Sequence, residues 1–150
     1  VGIGIMSSVE FVRDIVRPNA IAGAQDAGRD PKSVVFPTAA TVSVNQNRDL
    51  ARDASRKSIC KLYHPIPHPY YDSQLRQLGF EEFADQASQL MLAGKLREAM
   101  DLVPEEVIDT MTIPGTIEEL EKRIHEYQGV SDELLLARTS QQGYTETLTD

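Results

Sequence analysis

The stretch that most constrains the fold is VVFPTAATVSV, residues 34–44. It is rich in β-branched residues and nearly continuous in apolar character. A strand with one wet face alternates apolar and polar side chains, whereas one buried on both faces does not, and the latter belongs to a parallel sheet covered by helices. Pro37 cannot donate to a ladder, so regular pairing is expected after it. Around this strand the chain reads helix, strand, many helices, helix, strand. That order predicts an α/β fold with parallel pairing and right-handed crossovers.

Val1 to Met6, VGIGIM, reads as a first short buried strand over 2–6. Ser7 and Ser8 follow and can cap a helix whose apolar residues Val9, Phe11, Val12, Ile15 and Val16 recur at helical spacing. Pro18 should kink or restart that helix, and Gly28 should stop it. After the strand at 34–44, Asn45, Gln46 and Asn47 offer a cap. A helix over 48–63 follows, with Leu50, Ala51, Ala54, Ile59 and Leu62 expected inside. HPIPHPY, residues 64–70, carries three alternate prolines and forbids a helix. Short helices are expected near 71–78, 80–93, 95–102 and from Val103, with Gly79 and Gly94 between them. Thr116 and Glu119 form a capping box for a helix that ends before Gly129. ELLLART, within 132–139, is a third strand. The expected unit is one partial domain over 1–150, with strands near 2–6, 34–44 and 133–139 and a helical insertion over 47–111. Three strands leave both sheet edges open unless something covers them.

The net charge of −8 repels phosphate backbones and anionic bilayers, which argues against nucleic-acid and membrane partners. No basic leader with a cleavage site is evident at the start. A single cysteine, Cys60, forms neither an internal disulfide nor a thiolate cluster and fits a reducing cytoplasm. It reads as a small buried apolar side chain. Gly2 and Gly4 do not make a dinucleotide fingerprint. Glu81–Glu82, Glu105–Glu106 and Glu118–Glu119 sit in first turns of expected helices, where the helix dipole accounts for them. No Ser–His–Asp set stands out. Pro65 and Pro67 break the i, i+4 spacing of His64 and His68, so no metal site is expected.

Four segments in fixed order resemble the luciferase-like monooxygenase family, which includes F420-dependent methylene-tetrahydromethanopterin reductases. They are VEFVRDIVRPNAIAGAQDAGRDP (9–31), VSVNQNRDLARDASR (42–56), HPYYDSQLRQLGFEEFADQ (68–86) and VPEEVIDTMTIPGTIEELEKRIHEYQGVSDELLL, which ends at 136. The resemblance implies the C-terminal part of a (β/α)8 TIM barrel more than twice this length. This chain would supply roughly strands six, seven and eight, with the helical insertion after strand seven. PGTIEEL would open the helix leading to the last strand. Strands one to five, and the segment before strand six that commonly helps to hold the cofactor, have no counterpart. A final helix after strand eight would be cut off near Leu148.

The resemblance further implies an oxidoreductase that uses F420 or FMN for hydride transfer or monooxygenation of a small organic substrate. The isolated chain is expected to be inactive. Its partners would be that substrate and either the missing N-terminal barrel half or further copies of itself. The alternative is a non-catalytic α/β module that covers its open edges with itself or another protein.

Active sites of such barrels lie at the C-terminal ends of the strands. This selects Ser7 and Ser8, Asn45 and Gln46, and Arg138 and Thr139. The insertion is expected to bring His64, His68, Tyr70 and Tyr71 over the same pocket. Each has a plainer reading: loop histidines, tyrosines packing a helix start, and an ordinary ion pair for Arg138.

Overall fold

The computed structural model describes residues 4–139. Helix α1 (Val9–Phe11) passes through a π-helical turn (Val12–Val16) into α2 (Arg17–Asp26). Strand β1 (Pro37–Val44) leads to α3 (Arg48–Leu62), α4 (Pro69–Gln77), α5 (Glu81–Leu92), α6 (Leu96–Leu102) and α7 (Glu105–Met111). Strand β2 (Thr112–Gly115), α8 (Ile117–Ile124), a short 3-10 turn (His125–Tyr127) and β3 (Glu133–Arg138) complete the order.

The sheet has the order β2-β1-β3, and both pairings are parallel. Thr41 to Val44 run beside Thr112 to Gly115, and Pro37 to Val42 run beside Glu133 to Arg138. The central strand is buried from Thr38 to Ser43, as its unbroken apolar pattern requires. Alternate residues face opposite sides. On one side Ala40 and Val42 pack with Val9, Val12, Ile113, Leu120, Tyr127 and Val130. On the other side α3 lies against Ser43 through Ser55. The insertion has a core of its own, in which Ile59, Tyr71, Leu75, Phe83, Val107, Ile108 and Met111 surround Met6.

The caps form where the short polar residues stand. Ser8 Oγ accepts from the Phe11 N–H at 3.0 Å, and Asn47 Oδ1 accepts from Asp49 and Leu50. Thr116 and Glu119 make the capping box, with the Thr116 N–H donating to Glu119 Oε2 at 2.8 Å. Pro18 does not break the helix. The ladder widens just before it, and the Arg17 N–H reaches back to Val12 O. Pro18 then sits at the start of α2, where its missing N–H costs nothing.

Three expectations need correction. The strand placed at 2–6 falls partly on residues 1–3, outside the described residues, while Gly4 to Met6 are irregular. Their carbonyls are taken by side chains instead of a ladder. A strand not anticipated, β2, occupies the upper half of one edge of β1. Its four residues, TIPG, are too few to show a period and contain a proline. Finally, Leu50 is 55% exposed. The inner stripe of α3 is Ala51, Ser55, Ile59 and Cys60, because a buried serine pairs with the polar end of β1.

Beyond β3 no further strand pairs among the described residues. Leu135 is 64% exposed and Leu136 38% exposed.

Candidate functional site

Gly4 to Ser7 lead into α1 without regular structure, so their backbone groups need partners of another kind. Every carbonyl in this run finds a side chain. Ser7 Oγ donates to Gly4 O at 2.7 Å. Thr41 Oγ1, on β1, donates to Ile5 O at 2.7 Å. Gln74 Nε2, on α4, donates to Met6 O at 3.0 Å. The Tyr127 hydroxyl, after α8, donates to Ser7 O at 3.1 Å. The Ser7 N–H itself donates to Ala39 O. Sheet, insertion and outer helix layer thus meet on four residues.

Helix α4 brings an aromatic row to the same place. Tyr70 Oη lies 3.1 Å from Ser7 Oγ. The single Ser7 hydroxyl proton is committed to Gly4 O, so Tyr70 is the donor in this pair. The Tyr70 ring stands edge-on to Phe11 at 6.0 Å and to Tyr71 at 5.2 Å. It also lies so close to Gly4 that a Cβ there would be 2.7 Å from the ring. Tyr71 is buried. Burial pushes its hydroxyl pKa up, while hydrogen bonds from the Ile5 and Met6 backbone pull it back. The His68 ring is 4.6 Å from that of Tyr71, and its Nδ1 is buried with no hydrogen-bond partner.

Ser7, His68, Tyr70 and Tyr71 are therefore gathered into one cluster. Asn45, His64 and Arg138 stand apart from it. Asn45 ends β1: its N–H donates to Gly115 O at 2.9 Å, and its Oδ1 accepts from the Asn47 N–H at 2.9 Å. His64 is exposed in the turn before α4, where the His64–Pro65 and Ile66–Pro67 peptide bonds are cis. Arg138 closes β3 opposite Val42.

A second polar group occupies the C-terminal ends of β1 and β3. Ser55 Oγ donates to Ser43 Oγ at 3.0 Å, and Ser43 Oγ lies 3.0 Å from Thr139 Oγ1. All three residues are buried. Asp72, a lone carboxylate near His68 in sequence, is bound by Tyr63 and Arg76. The Arg76 guanidinium holds its carboxyl below the usual range. Cys60 is buried, and burial pushes its thiol up to about 11, far from a reactive thiolate. Among the described residues no three metal-ligating side chains converge.

Sequence reasoning missed Thr41, Gln74, Ser43 and Ser55. For Gln74 a signal existed, since it is a polar residue on the apolar stripe of Tyr71, Leu75 and Leu78. The two serines read as neutral small residues until the strand and helix face each other.

The geometry defines an α/β protein with a three-stranded parallel sheet covered by helices and with polar groups collected at the C-terminal ends of β1 and β3. Residues 10–133 match the luciferase-like monooxygenase family, and the chain belongs to it. Among solved structures it is similar to the coenzyme F420-dependent tetrahydromethanopterin reductase from Methanopyrus kandleri, with a TM-score of 0.70 and 20% identity. It is also similar to an F420-dependent secondary alcohol dehydrogenase in complex with an F420–acetone adduct, with a TM-score of 0.62 and 19% identity. The matches cover 91% and 93% of this chain but only 38% and 37% of those chains. No functionally curated protein matches it.

Proposed function

We propose that this chain is the C-terminal wall of a luciferase-like oxidoreductase that uses F420 or FMN for hydride transfer or monooxygenation of a small organic substrate. The observation that carries the reading is the family match over residues 10–133 combined with coverage of 38% of a related barrel. Both related enzymes use F420, which favours it over FMN. In such enzymes the cofactor carries the chemistry, and the protein supplies binding, orientation and electrostatics.

Among the described residues the chain's own polar groups do not make a cradle for a cofactor's ring system. Ser43, Ser55 and Thr139 bond to one another, Asn45 Oδ1 is bound to Asn47, and Tyr71 receives backbone hydrogen bonds. A planar tricyclic cofactor would draw most of its contacts from elsewhere. Within this chain the substrate-facing role falls to Ser7, His68, Tyr70 and Tyr71, with Asn45 and Arg138 at the strand ends and His64 at the edge of the insertion. His68 Nδ1 offers an uncommitted hydrogen-bonding atom.

The partner is the remainder of the barrel or a second copy. What supports this is β3, which has no further strand beside it among the described residues and leaves Leu135 and Leu136 exposed. The same observation supports the alternative of a non-catalytic module that associates through that edge. A reducing cytoplasm suits the single buried thiol. No helix of the described residues is long and apolar enough to cross a membrane.

The test is titration of the isolated chain with F420 and with FMN, followed by cofactor fluorescence and hydride-transfer assays. Neither tight binding nor turnover is expected. Tight binding with turnover would overturn the partial-wall reading.

A further inference from the structure

Helix α3 presents three faces, and each meets a different environment. Ala51, Ser55 and Ile59 are buried. Arg48, Arg52 and Arg56 are each ion-paired, with Glu119, with Glu105 and Asp109, and with Asp53 and Glu105. The third face is Ala54, Lys57, Ser58 and Lys61. Together with Thr139 at the end of β3 it lines a small crevice of about 30 Å³.

This third face runs against the electrostatic pattern of the chain. Lys57 and Lys61 stand one helical turn apart, a spacing at which like charges repel. Among the described residues no acidic side chain lines the crevice, and neither lysine has an ion-pair partner. Ala54 leaves the floor low. The wall holds Thr139, whose hydroxyl is backed by Ser43 and then Ser55. Ser55 donates to Ser43, so the Ser43 proton is available for Thr139 Oγ1. The Thr139 proton can then point outward. Two ammonium groups and two hydroxyls thus border one opening.

We propose that this crevice binds a phosphate group, held between Lys57 and Lys61 and oriented by Ser58 and Thr139. The pocket is too small to engulf the ion. It therefore takes a phosphate at its mouth as a charge-assisted contact, and the rest of the bound molecule stays outside. Two sources have this chemistry: the phosphate of a cofactor, which rests on the functional reading above, and the phosphate of a free metabolite, which does not.

The experiment is a titration of the full chain with inorganic phosphate, read by amide chemical shifts. Saturable shifts are expected at Lys57, Ser58, Lys61 and Thr139. The double substitution Lys57→Ala, Lys61→Ala should weaken binding at least about tenfold with an unchanged circular dichroism spectrum. Thr139→Val, which keeps the shape, should weaken it severalfold. Shifts spread equally over exposed cations such as Arg29 and Lys95, or binding unchanged in the double variant, would overturn the site.

FMN is then compared with riboflavin, its phosphate-free counterpart. Displacement of phosphate by FMN and not by riboflavin assigns the site to a cofactor phosphate. Phosphate binding that FMN does not displace assigns it to a free phosphorylated molecule, and leaves the site standing even if the oxidoreductase reading fails.

Discussion

The hydroxyl of Tyr127 donates to the carbonyl oxygen of Ser7 across 3.1 Å, although the two residues are 120 positions apart. This bond joins the turn after α8 to the segment that opens α1. Both groups are buried, and burial pushes the tyrosine pKa to about 12. Tyr127→Phe leaves the Ser7 carbonyl buried without that donor. A loss of about 1–2 kcal/mol is expected in urea denaturation. A variant as stable as the parent would show that the bond contributes nothing net.

Gly115 carries a different constraint. Its φ is +138°, and a Cβ there would lie 2.3 Å from Glu119 Oε2, the carboxylate that caps α8. Gly115→Ala must therefore strain the backbone and displace the cap. A destabilisation of at least about 2 kcal/mol is expected from the two effects together. Gly28 also has a positive φ, of 67°, but its Cβ would meet nothing within 4 Å. Gly28→Ala should cost only about 1–2 kcal/mol. Equal losses by thermal denaturation would remove the role of the Glu119 contact.

Asp72 sets an acid limb. Its hydrogen bond from Arg76 lowers its folded pKa. The unfolded chain therefore binds the proton more readily, and Asp72 contributes stability above its unfolded pKa. That contribution is lost as pH falls through the folded value. Much of the pair is solvent-accessible, so the effect is modest. Asp72→Asn should flatten the fall of melting temperature with acid while lowering stability at neutral pH. A parallel acid profile in the variant would contradict this.

Cys60 should be chemically quiet. With its thiol pushed up to about 11 and its side chain buried, a thiol reagent at pH 8 should modify it only when the insertion opens. Labelling in the native state should be slower than in urea by on the order of a hundredfold or more. Comparable rates would mean that the core around Met6, Ile59 and Tyr63 is not closed.

The edge strand is the most consequential surface. Leu135→Lys places a charge on exposed β3 without touching the core, a device by which natural sheets avoid edge pairing. The parent chain is expected to elute larger than a monomer, and the variant to shift toward monomer with its helix content intact. A parent that is already monomeric would count against a free, adhesive edge.

Much of the architecture was legible in the residues. Unbroken burial of β1 follows from TAATV, and Ser8, Asn47 and Thr116 cap because short polar side chains satisfy the first free N–H groups of a helix. The separation of the insertion helices follows from Gly79 and Gly94. The candidate site was legible only as a set of residue types near strand ends. Ser7 and Tyr70, 63 positions apart, could each be named, but their 3.1 Å contact could not. Tyr127 gave no functional sign, since a tyrosine at a helix end reads alike whether it faces water or a carbonyl.

The sequence by itself determined the local elements, the parallel α/β class and the family, because periodicity, capping and charge act between near neighbours along the chain. Tertiary structure alone decided that Gly4 to Ser7 would be held by side chains instead of a strand ladder, that TIPG would pair with β1, and that Lys57 and Lys61 would border Thr139. Those outcomes depend on which backbone groups lie within hydrogen-bonding distance after the chain has closed on itself, and no pattern of neighbours encodes that distance.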